Sequence, residues 1–346
     1  RRKPTLTGRK LLKRQKLRNN EYYDMQSVFD ELYENSLAKC EFKNLISIIT
    51  AEENIRLAYR NLKKNAGSRT PGTDGKTIAD LAKMSEPELI GFVQQKFNWY
   101  QPRSVRRKEI PKGNGKTRPL GIPTIMDRLI QQCVLQVMEP ICEAKFCETS
   151  NGFRPNRGVE NALAQAEKHM QKSNLHIVID IDIKGFFDNV NHGKLLRQIW
   201  TMGIHDKKLL SIISAMLKAE VAGIGFPEKG TPQGGILSPL LSNIVLNELD
   251  WWITSQWVGM PTRHEYSGKI HENGTKDQSK KYRELRKTNL KECYIVRYAD
   301  DFKIFCRKHS DAVKLFEATR AWLKERLDCE SETCIFRFSG IQNQGS

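Results

Sequence analysis

The chain combines an ordinary globular composition with a large positive charge. Its 346 residues hold 57 Lys or Arg against 40 Asp or Glu, a formal net charge of +17, and 39% of them are hydrophobic. This composition excludes a largely disordered chain. Pro and Gly interrupt the longest uncharged run too often for a membrane span. The positive charge predicts a polyanionic partner such as nucleic acid.

The N-terminal arm, taken as residues 1–35, is strongly basic at its start. Residues 1–20 contain nine Lys or Arg and no acidic residue. Such a segment is either a solvated tail or an arm that orders on RNA phosphates, and the overall charge favours the second interpretation. Its candidate RNA contacts are Arg9, Lys10, Lys13 and Arg14.

A region with helical spacing and a Gly-rich stretch follow this arm, and a predicted β-hairpin comes after them. An Asn-Gly turn signal lies within residues 108–123, and the cations Lys112 and Arg118 flank it. The segment is either a basic surface hairpin or a cationic finger over phosphates, and its residues alone do not decide between the two.

Two helices joined by a loop follow the hairpin. Apolar residues at helical spacing predict one helix over residues 127–146 and another over 159–170, with Val159, Ala162, Leu163 and Ala166 on the buried side of the second. The loop between them carries two cations that are candidate RNA contacts, Arg154 and Arg157.

The clearest strand is predicted over residues 175–183. Isoleucines alternate there with other residues, so Asp180 and Asp182 project from one face of the strand. Two residues of strand rise place these carboxylates about 6.6 Å apart. A turn-rich segment from Gly230 to Pro239 and an apolar helix follow later in the chain.

An apolar hairpin near the end of the chain carries two adjacent aspartates. Residues 294–306 predict two strands, with Asp300 and Asp301 at the tip between them. Residues 255–292, before this hairpin, are a polar insertion that we interpret as a surface excursion. A final helix is predicted over residues 311–327.

Carboxylates on two separate strands indicate metal chemistry. An isolated Asp-Asp pair is most often an ordinary turn, but Asp182 can join Asp300 and Asp301 in one ligand set. Such a set can hold two Mg²⁺ ions, with Mn²⁺ as a substitute, because these ions prefer hard oxygen ligands and leave room for substrate phosphates. Two ions stabilise both oxygens of an in-line displacement, which favours nucleotidyl transfer on a nucleic acid.

The segments around these aspartates resemble group II intron-encoded reverse transcriptases, also called maturases. The YADD run resembles the Tyr-x-Asp-Asp box of reverse transcriptases, and five earlier blocks match in order and spacing across residues 50–320. The matching blocks are residues 56–78, 118–128, 152–158, 182–192, 231–244 and 298–301.

The resemblance implies an α+β fold with the fingers and palm of a right-hand polymerase, and an antiparallel palm sheet flanked by helices. Fingers with an N-terminal extension block are expected over residues 36–172, and the palm over residues 173–330. Residues 331–346 are an atypical tail without likeness to the family's primer-contacting block. We expect the thumb and the C-terminal domains to be absent and polymerisation by this chain to be weak.

The resemblance also implies roles for single residues. Asp182, Asp300 and Asp301 match the catalytic, metal-binding aspartates, and Asp182 is preferred to Asp180 because it stands five residues before an aromatic residue. Ile183 is expected to lend its backbone carbonyl to a metal ion. The expected nucleotide contacts are Lys112 and Arg118 at the triphosphate, Phe187 beneath the sugar and Gln233.

The activity implied by the resemblance is RNA-directed DNA synthesis, in which deoxynucleoside triphosphates extend a DNA primer on an RNA template. Binding of the chain's own intron RNA to assist splicing, and copying of that RNA during retrohoming, are also implied, with a homodimer left open. The alternatives are an RNA-binding splicing cofactor without catalysis and a reverse transcriptase of the retron or diversity-generating type. The intact aspartate set disfavours the first, and the N-terminal block disfavours the second.

Cysteine usage bears on the compartment. The eight cysteines are scattered and form no Cys-x-x-Cys pair, which disfavours zinc ribbons and thioredoxin-like redox sites and favours reduced thiols. We therefore expect a bacterial cytoplasmic protein, with an organelle as the alternative.

Overall fold

The computed structural model describes residues 18–111, 117–266, 268–270, 272 and 276–337, with the backbone alone at residues 118, 332 and 333. Within this part of the chain, no helix is both long enough and apolar enough to cross a membrane. The described residues form two compact units, 18–145 with 202–225 and 146–201 with 226–337. These limits differ from the fingers and palm limits expected from the sequence, which stay a prediction.

Helices and short strands alternate along the chain. The helices are α1 (Asn19–Tyr22), α2 (Gln26–Leu37), α3 (Ile46–Ile49), α4 (Glu52–Lys64), α5 (Ile78–Leu81), α6 (Glu86–Asn98), α7 (Ile125–Glu143), α8 (Val159–Glu167), α9 (Phe186–Asn189), α10 (His192–Thr201), α11 (Lys207–Leu217), α12 (Ser238–Gln256), α13 (Ser279–Leu285) and α14 (His309–Trp322). The strands are β1 (Arg106–Pro111), β2 (Thr117–Ile122), β3 (Ser150–Asn151), β4 (Ile177–Ile183), β5 (Cys293–Tyr298), β6 (Asp301–Cys306) and β7 (Ser331–Arg337). Short 3-10 and π-helical turns add Ala66–Arg69, Lys168–Lys172 and Leu323–Leu327.

Helix α7 is the centre of the first unit. Its apolar side chains, including Leu129 and Val134, are fully buried against α2 and α4, as the helical spacing predicts. Thr124 begins the helix, because its hydroxyl accepts a hydrogen bond from the backbone N–H of Asp127. The predicted hairpin is also present, with β1 and β2 paired antiparallel.

The Gly-rich stretch of the first unit is anchored to the start of α7. The Arg128 guanidinium donates hydrogen bonds to the carbonyls of Gly67 and Thr70 at 2.7 and 2.6 Å. A Cβ atom at Gly72 would lie 2.6 Å from the Cα of Thr124, so only glycine permits this approach. The segment is therefore a fixed loop and not a linker.

The second unit is built on a five-stranded sheet with the order β3-β5-β6-β4-β7. Its four longer strands pair antiparallel, but the two-residue β3 runs parallel to β5, so the sheet is mixed and not wholly antiparallel. The parallel edge is possible because β3 lies in the connection between α7 and α8 and is not joined to β5 by a hairpin. Strand β7 occupies part of the predicted tail and pairs with β4 along its whole length.

The face of this sheet that holds Ile179, Ile181 and Ile304 is mainly apolar and packs on helix α12. On the opposite face, the end far from the β5–β6 turn is covered by α8, where Ala162 packs on Val178, Val296 and Phe305. The end near that turn carries the aspartates. Because alternate residues of a strand point to opposite faces, the predicted alternation of β4 produces this division.

Helix α8 buries only part of the side that its sequence predicts. Val159 and Leu163 are 47% and 62% exposed, whereas Ala162 is buried and Ala166 packs beside it. Small alanine side chains allow the helix to lie close to the sheet, and this packing overrides the larger apolar residues. The prediction of Ala162 and Ala166 on the buried side is confirmed, and the prediction of Val159 and Leu163 there is wrong.

The polar insertion is anchored by aromatic side chains. Trp257 is fully buried, stacks on Tyr282 and donates a hydrogen bond from Nε1 to the Tyr294 hydroxyl at 3.0 Å. His169 also stacks on Tyr294, and burial lowers the pKa of this histidine to about 4. The base of the insertion is thus part of the second unit's core.

Candidate active site

Two of the predicted aspartates lie directly opposite each other on neighbouring strands. Asp182 of β4 and Asp301 of β6 are register partners, so both side chains leave the same face of the sheet. Partners of this kind have Cα atoms about 4.5–5.5 Å apart. Both residues are exposed, and Asp300 is partly exposed in the turn that precedes β6.

The turn that carries Asp300 depends on a left-handed residue. Ala299 has a φ of +56°, a conformation that non-glycine residues rarely adopt. Both sides of this residue are hydrogen-bonded, since its N–H donates to the Asn151 carbonyl at 2.9 Å and its carbonyl accepts from Arg297 Nη1 at 2.7 Å. These contacts fix the direction in which the chain enters Asp300 and Asp301.

A lysine side chain, Lys303, lies on the exposed face of the sheet beside the aspartates. Lys303 Nζ donates to Asp180 Oδ1 at 2.5 Å and lies 3.5 Å from Asp301 Oδ1. Partial burial lowers the pKa of this lysine, but its two carboxylate neighbours outweigh that effect and raise it overall. Asp180 is therefore engaged by Lys303, which agrees with the preference for Asp182 as the functional carboxylate.

The donor chemistry at the turn fits a divalent cation. Asp182 and Asp301 offer hard carboxylate oxygens from one exposed face, and Mg²⁺ binds such donors while keeping water and substrate ligands. Among the described residues, no three His, Cys, Asp or Glu side chains lie close enough together to hold a metal ion. The pair in register is thus what the fold itself supplies, and the full ligand set stays a prediction.

The block that follows β4 is tied to the Pro-Gln-Gly-Gly turn. The Thr231 N–H donates to the Phe187 carbonyl at 2.7 Å, and the buried His192 ring contacts the Gly230 carbonyl through Nε2 at 2.7 Å. Gly230 has a φ of +93°, and a Cβ there would lie 2.9 Å from the Asp188 carbonyl oxygen. These contacts bring the segments of Phe187 and Gln233 together.

Gln233 itself lies on a closed turn. The Gly235 N–H and the Ser238 hydroxyl both donate to the Pro232 carbonyl, at 2.9 and 2.7 Å. Gln233 and Phe187 are both partly exposed. The turn therefore presents Gln233 without burying it, as a nucleotide contact would require.

The predicted phosphate contacts differ in how much the structure describes of them. Arg118 lies in β2, with its backbone alone described. The remaining cations lie outside the described residues, and their roles stay predictions: Lys112, Arg9, Lys10, Lys13 and Arg14.

Arg154 and Arg157 shape their own loop. Arg154 Nη1 donates to the carbonyls of Cys147 and Ser150 at 2.8 and 2.7 Å, and the guanidinium lies over the Phe146 ring. Arg157 Nη1 donates to the Glu148 carbonyl at 2.8 Å. Contact of these arginines with RNA stays a prediction, since part of each guanidinium is already used within the loop.

Comparison with known proteins identifies the family. Residues 110–329 match the family model described as reverse transcriptase (RNA-dependent DNA polymerase). The chain belongs to the reverse transcriptase family. The match spans Asp182, Asp300, Asp301 and the segment of Gln233, and it includes every block read from the sequence except residues 56–78.

Similar proteins narrow the lineage of this reverse transcriptase. Protein YkfC of Escherichia coli K12 is 34% identical over 77% of this chain and 71% of its own length. The group II intron-encoded protein LtrA of Lactococcus lactis is 37% identical over 66% of this chain, and the putative COX1/OXI3 intron 2 protein of Saccharomyces cerevisiae is 27% identical over 87%. The chain spans 38% of the length of each of these last two proteins. The predicted likeness to group II intron-encoded reverse transcriptases is confirmed.

The sequence analysis did not identify Arg297, a buried arginine behind the turn that carries Asp300. Arg297 is fully buried and forms an ion pair with Asp250, also fully buried, at 2.6 Å. A signal for it existed, because an arginine within the apolar run of β5 requires a partner when buried. The side chains that Arg297 contacts on the apolar helix α12 are Asp250 and Asn243, which lie seven residues apart.

Proposed function

We propose that this chain is an RNA-directed DNA polymerase that extends a DNA primer on an RNA template with deoxynucleoside triphosphates. The observation that carries the proposal is the register pairing of Asp182 with Asp301 on the exposed face of the sheet, with Asp300 in the adjoining turn. The family match supports the same chemistry. The fingers and palm of a right-hand polymerase, with a largely antiparallel palm sheet, are the architecture we assign to this activity.

The three aspartates would hold two Mg²⁺ ions, or Mn²⁺ in their place, with the Ile183 carbonyl as an added ligand. Bound metal supplies charge stabilisation for the attacking 3′-oxygen and the leaving pyrophosphate. The chain's own part is to present the carboxylates in register and to keep Lys303 on Asp180, beside the pair.

Four residues are the nucleotide contacts that the family resemblance implies. Phe187 lies five residues after Asp182, where its ring would meet a ribose 2′-hydroxyl without a hydrogen-bond partner. Gln233 would position the nucleotide from its closed turn. Lys112 and Arg118 would bind the triphosphate, the lysine as a point charge and the arginine by paired hydrogen bonds.

The RNA partner we propose is the chain's own intron RNA, bound to assist splicing and copied during retrohoming. The names of the similar proteins from Lactococcus and yeast, both intron-encoded, support this assignment. The basic N-terminal residues, with Arg154 and Arg157, would contribute phosphate contacts that weaken as salt rises. A bacterial cytoplasmic location accords with this role.

Primer extension on an RNA template tests the proposal directly. Asp300→Ala is expected to lower extension by about 1,000-fold or more, because a ligand that stabilises transition-state charge is lost. Asp30→Ala, at an exposed aspartate of α2, is the matched control and should extend as wild type. Tight intron RNA binding by a wild-type chain that extends no primer would instead indicate a splicing cofactor without catalysis.

A further inference from the structure

We propose that Arg297 is a positioning residue for the metal-binding turn, acting through a buried clamp made of Arg297, Asp250, Asn243 and Ser150. The clamp would set the direction of the Asp300 and Asp301 carboxylates without touching metal or substrate. The inference rests on the proposed function for its consequence, but its contacts stand independently.

The Arg297 guanidinium has partners for all of its donors. Nε and Nη2 donate to the Asp250 carboxylate at 2.9 and 2.6 Å, and Nη2 also donates to the Ser150 hydroxyl at 2.5 Å. Nη1 donates to Asn243 Oδ1 at 2.9 Å and to the Ala299 carbonyl at 2.7 Å. Arg297, Asp250, Asn243 and Ser150 are each fully buried. One planar group thus joins β3, β5, α12 and the turn.

The clamp acts at the point where the backbone is strained. A left-handed alanine costs about 1–2 kcal/mol and persists only where its surroundings impose it. The carbonyl of Ala299 is held by Arg297, and its N–H is held by Asn151, whose own side chain donates to the Arg297 carbonyl at 3.3 Å. The strained residue is therefore restrained from both sides by one network.

The same network supports the loop that faces the turn. Asn243 donates from Nδ2 to the Gly152 carbonyl at 3.0 Å while its Oδ1 accepts from Arg297. A Cβ at Gly152 would lie 2.9 Å from the Ala299 nitrogen, so the loop abuts the turn directly. Movement of the turn would thus require movement of Gly152 and Asn243 as well.

The chemistry of the clamp favours positioning over simple stabilisation. Replacing a buried ion pair by apolar residues is often neutral for stability, because desolvation offsets the attraction between the charges. A guanidinium with five donors in a fixed plane can hold three partners and one backbone carbonyl at defined angles. Arg297 lies on the apolar face, and Asp301 leaves the opposite face of the neighbouring strand, so the clamp works from behind the site.

The test is Arg297→Lys, which keeps the charge but cannot reach all the partners. We expect affinity for Mn²⁺, measured by the electron paramagnetic resonance signal of free Mn²⁺, to fall about 10-fold or more, as when partners of a metal ligand are removed. The turnover number for primer extension should fall about 100-fold, because small misplacement of catalytic groups has effects of that size. RNA affinity should stay within about twofold of wild type.

Arg286→Lys is the matched control. Arg286 also forms paired hydrogen bonds to a carboxylate, Glu292, at 3.1 and 2.7 Å, but that pair does not contact the turn. Mn²⁺ affinity and turnover should not change in this variant. Equal losses in both variants, or a loss at Arg297 that only follows the unfolded fraction, would overturn the proposal.

A second variant separates positioning from folding. Asn243→Ala should weaken Mn²⁺ binding, and adding Ala299→Gly should recover part of it, because glycine adopts the left-handed conformation without strain. Absence of recovery, with Mn²⁺ affinity in the double variant no better than in Asn243→Ala, would count against the clamp. If the wild type binds Mn²⁺ but extends no primer, the proposed function fails while the Mn²⁺ measurements still decide the role of Arg297.

Discussion

Two ion pairs on opposite faces of the same sheet show how differently one kind of contact can be used. Arg297 and Asp250 are both fully buried behind the turn, with the arginine's donors all satisfied. Lys303 and Asp180 lie on the exposed face, where their side chains are 37% and 34% accessible. Lys303 also contacts the Asp301 carboxylate. The buried pair fixes a backbone, whereas the exposed pair can exchange partners.

The difference follows from solvation. An exposed pair contributes about 0–1 kcal/mol, because water competes for both charges. Breaking a buried pair by removing one partner costs about 3–5 kcal/mol, because the remaining charge cannot be solvated. A face that is proposed to bind metal must allow Lys303 to leave the carboxylates, whereas the clamp behind it must hold the turn in place.

The largest expected effect separates activity from stability on the exposed face. Asp182→Asn should lower primer extension by about 1,000-fold or more, because a carboxylate proposed to bind metal is lost. The free energy of unfolding should rise by a few tenths of a kcal/mol, because like charges directly opposite each other destabilise a sheet. Urea unfolding beside primer extension measures both, and marked destabilisation would show that Asp182 also supports the fold.

The buried face should behave in the opposite way. Asp250→Ala is expected to lower the free energy of unfolding by about 3–5 kcal/mol, because Arg297 is left buried without its counter-charge. Asp180→Ala, which removes the partner of Lys303, should change it by less than about 1 kcal/mol. Similar losses in the two variants, measured by urea unfolding, would remove the distinction between the faces.

The contacts of Glu292 with Arg286 and Arg307 can be tested through the pH dependence of unfolding. Burial would raise the pKa of Glu292, but hydrogen bonds from Arg286 and Arg307 outweigh it and lower the pKa from 4.5 to about 2. A lowered folded-state pKa stabilises the protein above the unfolded-state value, so this contribution is lost as pH falls from about 4.5 towards 2. Glu292→Gln should make unfolding less pH-dependent across that interval. An unchanged slope in urea unfolding series would contradict the assignment.

The smallest effect is expected at Lys303. Lys303→Met should change the free energy of unfolding by less than about 1 kcal/mol and lower the Mg²⁺ concentration for half-maximal extension by about twofold to fivefold, because a competing cation beside Asp301 is removed. A magnesium titration of primer extension measures this shift. Weaker magnesium binding in the variant would mean that Lys303 supports the site.

Local patterns predicted the elements that carry the chemistry. The alternation of β4 and the apolar hairpin around Asp300 and Asp301 depend on neighbouring residues, and the structure shows the strands and the face they predict. The partners of Arg297 could not be predicted in this way, since Asp250 and Ser150 lie 47 and 147 residues away in the sequence. Only the folded sheet and helix α12 bring them together.

Helix α8 illustrates a second limit. Helical spacing correctly predicted the helix and the burial of Ala162, but it also assigned Val159 and Leu163 to the buried side. Which side faces the sheet depends on how closely the backbones can approach, and that distance is not encoded in periodicity. The parallel edge of the sheet was not predicted either, because β3 is only two residues long and is too short to show an alternating pattern.

Strand β7 makes the strand of Asp182 an interior one. Its register pairs β4 from Ile177 to Ile183 on the side away from β6, although the family match ends at residue 329, before β7 begins. A chain cut at the family limit would leave the amide and carbonyl groups of β4 as an open sheet edge, able to recruit a strand from another molecule. Where homology stops is therefore a poor guide to where this domain can be divided, and hydrogen exchange in β4 should report on residues that carry no family signature.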